Sequence, residues 1–231
     1  MDFLIDGLLS ALLLIWALDP ELIQIVWVSL KVSSTSTLIA SLVGVPAGFL
    51  IAFGEFSGKR FVITLLNTLL ALPTVAVGLL VYAFICRRGL FGAFDLLYTQ
   101  KAIIIGQVIL IIPIVATFTI SAVSRLDDRY RKTALTVGAN AIQTAWVIVR
   151  EVRFGIAAAI IAAFGRVIAE VGISMMLGGN AKGFTRTMTT AMALEYDKGL
   201  FELSVALGIA LLAVSFAVNV FFHYFQGRVR E

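Results

Sequence analysis

One cysteine and one histidine occur in 231 residues, with four prolines and only 14% charged side chains. A lone Cys86 excludes an intrachain disulfide and any cysteine-based metal site. It closes an apolar run, where a thiol serves as a small hydrophobe. His223 has no second imidazole or carboxylate cluster beside it, so neither a metal centre nor another cofactor is expected. Catalytic motifs are missing as well. No G-x-x-x-x-G-K-[ST] pattern occurs, and GGNAKGFT (178–185) has the glycines without that spacing. No G-x-S-x-G or H-E-x-x-H occurs either. The chain is therefore expected not to be an enzyme. Soluble domains carry roughly 25% charged residues. Here 60% of residues are hydrophobic and mean hydropathy is +1.01, so the chain reads as an integral membrane protein.

Five apolar segments are each long enough to cross about 30 Å of hydrocarbon as a helix. They run over about 22–53, 61–85, 102–123, 156–177 and 200–225. Helices are required, because the backbone in lipid must satisfy its own polar groups. No repeated period-two alternation supports a barrel. Residues 1–20 carry Asp2 and Asp6 and no Lys or Arg. That rules against a signal peptide and leaves too short a clean apolar run to span. They read as an accessory helix at the interface or facing lipid, stopping at Asp19-Pro20.

The net charge of +4 is spread between the apolar runs, which fits loops beside anionic lipid and excludes a nucleic-acid patch. Ten of the 18 cations fall on 54–60, 124–155 and 226–231, six on the opposite loops, and Lys31 and Arg166 lie inside spans. The positive-inside rule puts the ten-cation side, and with it the C-terminus, in the cytoplasm. Gly44, Pro46 and Gly48 in the first span, Pro73 and Gly78 in the second and Pro113 in the third are helix-weakening. They predict either bent helices lining a cavity or simple packing.

The loop 124–155 contains RKTALTVGANAIQTAWVIVREVRFGI, too polar to span. Leu135, Ala139 and Ile142 fall at i, i+4 and i+7, so a short helix with a small, apolar face is predicted. Such a face suits docking in a groove, or else lies on the membrane surface. The stretch KTALTVGAN resembles the cytoplasmic coupling motif of ABC importer permeases, with Ala134, Gly138 and Ala139 at the matching positions. Lys132 stands where an acidic residue is usual, and Arg153-Phe154-Gly155 where Leu-Pro often follows. A second stretch, 164–199, resembles the oxyanion branch of these permeases. Its RVIAEVG (with Glu170 and Gly172), MMLGGN (Gly179, Asn180), TRTMTT and ALEYDKG look most like tungstate permeases.

The resemblance covers nearly everything after residue 24. It implies an all-α membrane protein with a five-span ABC importer permease core (21–231) beside the accessory helix (1–20). It also implies an oxyanion cargo, tungstate, with molybdate or sulfate as alternatives. Its implied partners are an ABC ATPase subunit that hydrolyses the ATP, an extracytoplasmic substrate-binding protein and a second copy forming a homodimer in the cell inner membrane. Lys132, Ala134, Leu135, Gly138, Ala139, Asn140 and Ile142 would then meet the ATPase.

Arg166 and Glu170, four apart, are expected to share a helix face. They form either a self-neutralising structural pair or part of the anion path. The outer segment 178–198, with Gly179, Asn180, Thr185 and Thr187, reads as a gating loop or a solvated one. The hydroxyls around Lys31 are expected to bond their own backbone or a neighbouring helix. Two rivals remain. A gradient-driven transporter would need repeat-related intramembrane carboxylates, and a membrane enzyme would need clustered His, Asp or Glu.

Overall fold

The computed structural model describes residues 9, 12–13 and 15–227, with the backbone alone at 128 and 222–227. Asp2, Asp6, Arg228 and Arg230, and the side chain of His223, lie outside this description. Among the described residues there is no strand. The helices are α1 (Pro20–Phe53), α2 (Lys59–Leu69), α3 (Thr74–Ile85), a 3-10 turn (Gly92–Phe94), α4 (Gln100–Ser124), α5 (Asp128–Thr136), α6 (Ala141–Glu151), α7 (Arg153–Ile168), α8 (Gly172–Gly178), α9 (Met188–Asp197) and α10 (Phe201–Gly227).

Asp19-Pro20 opens the first long helix. The Asp19 carboxylate accepts from the N–H of Glu21 at 2.9 Å and of Leu22 at 3.1 Å, and Pro20 occupies the first helical position, where no N–H is needed. The helix α1 then runs 34 residues, about 51 Å at 1.5 Å per residue, longer than the hydrocarbon core. Its far end is capped by Lys59, whose Nζ donates to the carbonyls of Ala52 (2.9 Å) and Gly54 (3.0 Å).

Three helices, α1, α4 and residues 201–221 of α10, are long and apolar enough to cross a membrane. Two bent pairs bring the number to as many as five. The expected second span is broken: α2 and α3 meet at 99°. Pro73 has no N–H to donate and drives Leu72 out of the helical region. The expected fourth span is also broken, α7 and α8 meeting at 59°. No proline marks that break, so periodicity alone reads through it. Pro46 and Pro113, by contrast, sit inside unbroken helices.

The chain forms two compact units: one of residues 1–36, 73–108 and 164–231, the other of 37–72 and 109–163. In the first, Leu22, Ile25, Ile168, Met188, Ala191, Ala206 and Leu207 make a buried apolar cluster, and α3 packs on α8. The hydroxyls of Ser29, Thr35 and Ser36 donate to carbonyls one turn back, and Ser36 Oγ also lies 2.8 Å from Gln107 Oε1.

In the second unit, GVPAG is a close-packing face. A methyl added at Gly48 would lie 2.5 Å from the Ala116 carbonyl oxygen, and one at Gly44 would lie 2.9 Å from Val115 Cβ. Small residues four apart let membrane helices approach backbone to backbone. Gly48→Ala is therefore expected to push α1 from α4 and cost about 1–3 kcal/mol, read as a lower thermal unfolding midpoint in detergent.

Candidate functional site

In the second unit the polar loop folds as two helices and a turn. Asp127 caps α5 by accepting from Arg129 N–H at 2.9 Å. The helix stops in a Schellman turn: Ala139 N–H donates to Ala134 O, and Gly138 N–H donates to Leu135 O, both at 3.0 Å. Gly138 takes φ +85°, a left-handed conformation that glycine adopts without cost. Asn140 starts α6 through a capping box, its Oδ1 accepting from Gln143 N–H and Gln143 Oε1 accepting from Asn140 N–H, each at 2.9 Å.

The single helical face drawn through Leu135, Ala139 and Ile142 is therefore incorrect. Leu135 lies in the last turn of α5, Ala139 in the connecting turn and Ile142 in the first turn of α6. The stop-and-start chemistry of G-A-N-A-I-Q outweighs the apolar spacing. The turn nevertheless presents apolar side chains outward: Val137 is 83% and Ile142 81% exposed, with Leu135 and Trp146 beside them. A cavity of about 540 Å³ between α5 and α6 is lined by Tyr130, Ala134, Val137, Ala139 and Val147, with Arg129 at its rim. Lys132 is exposed.

Two contacts tie α5 to its surroundings. The Arg131 guanidinium lies 4.8 Å over the Phe53 ring at the end of α1. Tyr130 OH donates to Glu151 Oε1 at 3.3 Å. The Glu151 carboxylate, through its charge and then this bond, holds the phenol above its ordinary value, so it remains a donor at neutral pH.

In the first unit the charged pair is asymmetric. Arg166 Nη1 is 2.9 Å from Glu170 Oε2, with the Arg166 side chain 42% exposed and that of Glu170 only 2%. Glu170 does not continue α7, as the four-residue spacing predicts. It occupies the break, where its Oε1 accepts from Ile173 N–H at 3.1 Å and its carbonyl accepts from Thr189 Oγ1 at 2.8 Å. A carboxylate there neutralises Arg166 and satisfies an amide that the bend leaves open. At Gly172 an added Cβ would meet Thr74 Oγ1 at 2.9 Å, so glycine lets α8 sit against α3.

The segment 178–198 is not a solvated loop. It contains α9, with Thr185, Thr187, Met188, Thr190 and Ala191 buried. Gly179 and Asn180 turn the chain with φ +68° and +50°. Thr185 Oγ1 donates to Gly178 O at 2.6 Å, and Thr187 caps α9 in a box with Thr190. Asn180 Nδ2 donates to Thr190 O at 3.2 Å.

Further groups complete this structure. Ser29 on α1 accepts from Met188 N–H at 2.7 Å. Buried Arg186 lies 3.4 Å from Glu21 and 3.5 Å from Glu195, while Lys182 and Lys198 pair with the same two carboxylates. Lys198–Glu195 is a local i, i+3 pair, whereas the contacts of Arg186, Lys182 and Met188 to Glu21 and Ser29 on α1 span about 160 residues, so no local spacing reveals them.

The family described as "Binding-protein-dependent transport system inner membrane component" matches residues 44–231. The tungstate uptake system permease protein TupB of Peptoclostridium acidaminophilum is 35% identical over 226 residues, covering 98% of this chain and 99% of the relative. The protein of the same name from Campylobacter jejuni is 38% identical over 223 residues, covering 96% and 93%. Among solved structures, a bacterial ABC transporter involved in import of the acidic polysaccharide alginate has a chain of the same fold. Its TM-score is 0.74 at 17% identity, covering 92% of this chain and 81% of that one.

Proposed function

The chain belongs to the family of binding-protein-dependent transport system inner membrane components, and we infer that it is the permease subunit of an ATP-driven importer whose cargo is tungstate. The observation that carries the cargo is the similarity to tungstate permeases over nearly the whole length of both chains. The exposed apolar turn between α5 and α6 carries the coupling. A contiguous apolar patch on a polar connector marks a docking surface, and its occupant in this reading is a separate ATPase subunit. An extracytoplasmic binding protein delivers the anion, and a second copy of the chain completes the path. Residues 21–231 form the permease and 1–20 an accessory helix. The cation-rich loops and the C-terminus face the cytoplasm of a cell whose inner membrane holds the complex.

ATP binding in the partner displaces the α5–α6 turn. The Arg131–Phe53 contact then passes that displacement to the end of α1, a two-state shift set by differential binding. Lys132, Ala134, Leu135, Gly138, Ala139, Asn140 and Ile142 form the docking surface. Arg166 presents a half-exposed cation to the passing dianion, and Glu170 keeps it from binding too tightly. Gly172, Gly179, Asn180, Thr185 and Thr187 hold the gate region in shape. Glu170 is engaged by Arg166 and an amide, so it is poorly placed to load and release a driving ion, which disfavours a gradient-driven carrier.

ATPase activity of the complex in liposomes, with the binding protein saturated in turn by tungstate, molybdate, sulfate or phosphate, tests the reading. Stimulation by tungstate above the others, lost when this chain is omitted, is the expected result. Stimulation by another anion replaces the cargo, and indifference to all four removes the importer assignment.

A further inference from the structure

Lys31 and Lys101, both in the first unit, stand without counter-ions among the described residues. Lys31 lies about 17 Å along α1 from Pro20 at 1.5 Å per residue, and Lys101 is the second residue of α4. Both are exposed, and neither enters an ion pair or side-chain hydrogen bond among the described residues. A cation inside a span calls for an anion or water. Between the two lies a cleft of about 500 Å³ walled by Phe94, Leu96, Ile104 and Phe184. Its other donors are already committed: Gln100 Nε2 donates to Phe184 O at 2.6 Å, and Thr99 Oγ1 to Leu96 O at 2.6 Å. Asp95, the one carboxylate at its edge, pairs with neither lysine.

Those features select among anions. A small hydrated oxyanion leaves water only for a dense set of donors, and this wall is aromatic and aliphatic. An amphiphile fits both halves, with its phosphate at the two ammonium groups and its chain along the wall. Lipid is also at hand. The connector that leads into α4 carries Arg87 and Arg88 together with exposed Leu90, Phe91 and Phe94. That mixture of cations and large apolar side chains settles at the headgroup boundary.

We propose that the Lys31–Lys101 cleft binds one anionic phospholipid, which joins α1 to α4 at that end of the bundle. In the orientation given above it is a lipid of the outer leaflet. The site is independent of which anion is carried.

Native mass spectrometry of the full-length chain in its complex, titrated with phosphatidylglycerol and with phosphatidylcholine of the same acyl chains, tests this. Phosphatidylglycerol is expected to bind at least about tenfold more tightly. The Lys31→Gln/Lys101→Gln variant should lose about that factor, while Lys31→Arg/Lys101→Arg keeps it, which separates charge from misfolding. Ile104→Trp, filling the cleft without altering charge, should also expel the lipid. Equal binding of the two lipids, or undiminished phosphatidylglycerol binding in the Gln pair, overturns the proposal. So does displacement of the lipid by millimolar tungstate or phosphate, which would make the cleft a free-oxyanion site.

Discussion

Glu170→Ala is expected to lower stability by about 3 kcal/mol. The change removes the partner of Arg166 and the acceptor for Ile173 N–H together. An orphaned buried amide costs about 1–3 kcal/mol. Breaking a buried ion pair from one side costs about 3–5 kcal/mol, reduced here because Arg166 is half-exposed. Glu170→Gln keeps an acceptor for the amide and should lose less. Thermal unfolding in detergent reads these differences. The double change Arg166→Met/Glu170→Gln removes both charges at once and should recover most of the stability. If Arg166 lines the anion path, transport by that stable double variant stays at least about tenfold below the starting protein. Normal transport by it would reduce the pair to a structural role.

The second large effect concerns the turn between α5 and α6. Gly138→Val places a β-branched residue at φ +85°, where strain is about 1–2 kcal/mol. Among the described residues, nothing beyond the neighbouring backbone lies within 4 Å of the added Cβ, so the side chain projects outward rather than inward. Gly138→Asn supplies the control, because asparagine tolerates the left-handed region. We expect the Asn variant to unfold within about 0.5 kcal/mol of the original protein and still to lose anion-stimulated ATPase activity at least tenfold, about 1.4 kcal/mol of coupling. The Val variant should lose both. Retained stimulation in the Asn variant would mean that backbone strain, and not the docked surface, accounts for the Val result, and the docking assignment would fall.

The class of the protein was legible from hydropathy, because hydropathy is a local property. The five apolar segments were legible, but their shape was only half so, since three are single long helices and two are bent pairs. Pro73 announces one break, whereas the break at Glu170 depends on a carboxylate folding back to an amide three residues on. Counting apolar spacing through 135–142 failed for a related reason. A glycine and a capping box end one helix and begin another, and those signals lie in polar residues that the apolar count skips. The threonines of 185–190 read as a solvated or gating run because hydroxyls are polar. Thr185, Thr189 and Thr190 donate to the carbonyls of Gly178, Glu170 and Thr187 within the first unit, and the interleaved Arg186 and Met188 meet Glu21 and Ser29, over 150 residues away. The GVPAG stretch was ambiguous between bending and packing, and only the position of α4 decides it.

The two short halves α3 and α8 also bear on how the chain is made. Each has 12 residues or fewer, too few to cross hydrocarbon alone, and Gly78 and Gly172 fit each against the other. Residues 74–85 leave the ribosome roughly 90 residues before their partner, about 5–20 s at ordinary elongation rates. During that interval the first half lacks the α8 surface that packs against it. Biosynthesis therefore passes through a stage in which a half-inserted segment waits, and it is at this stage, before the finished protein exists, that a membrane chaperone or protease has its opportunity to act.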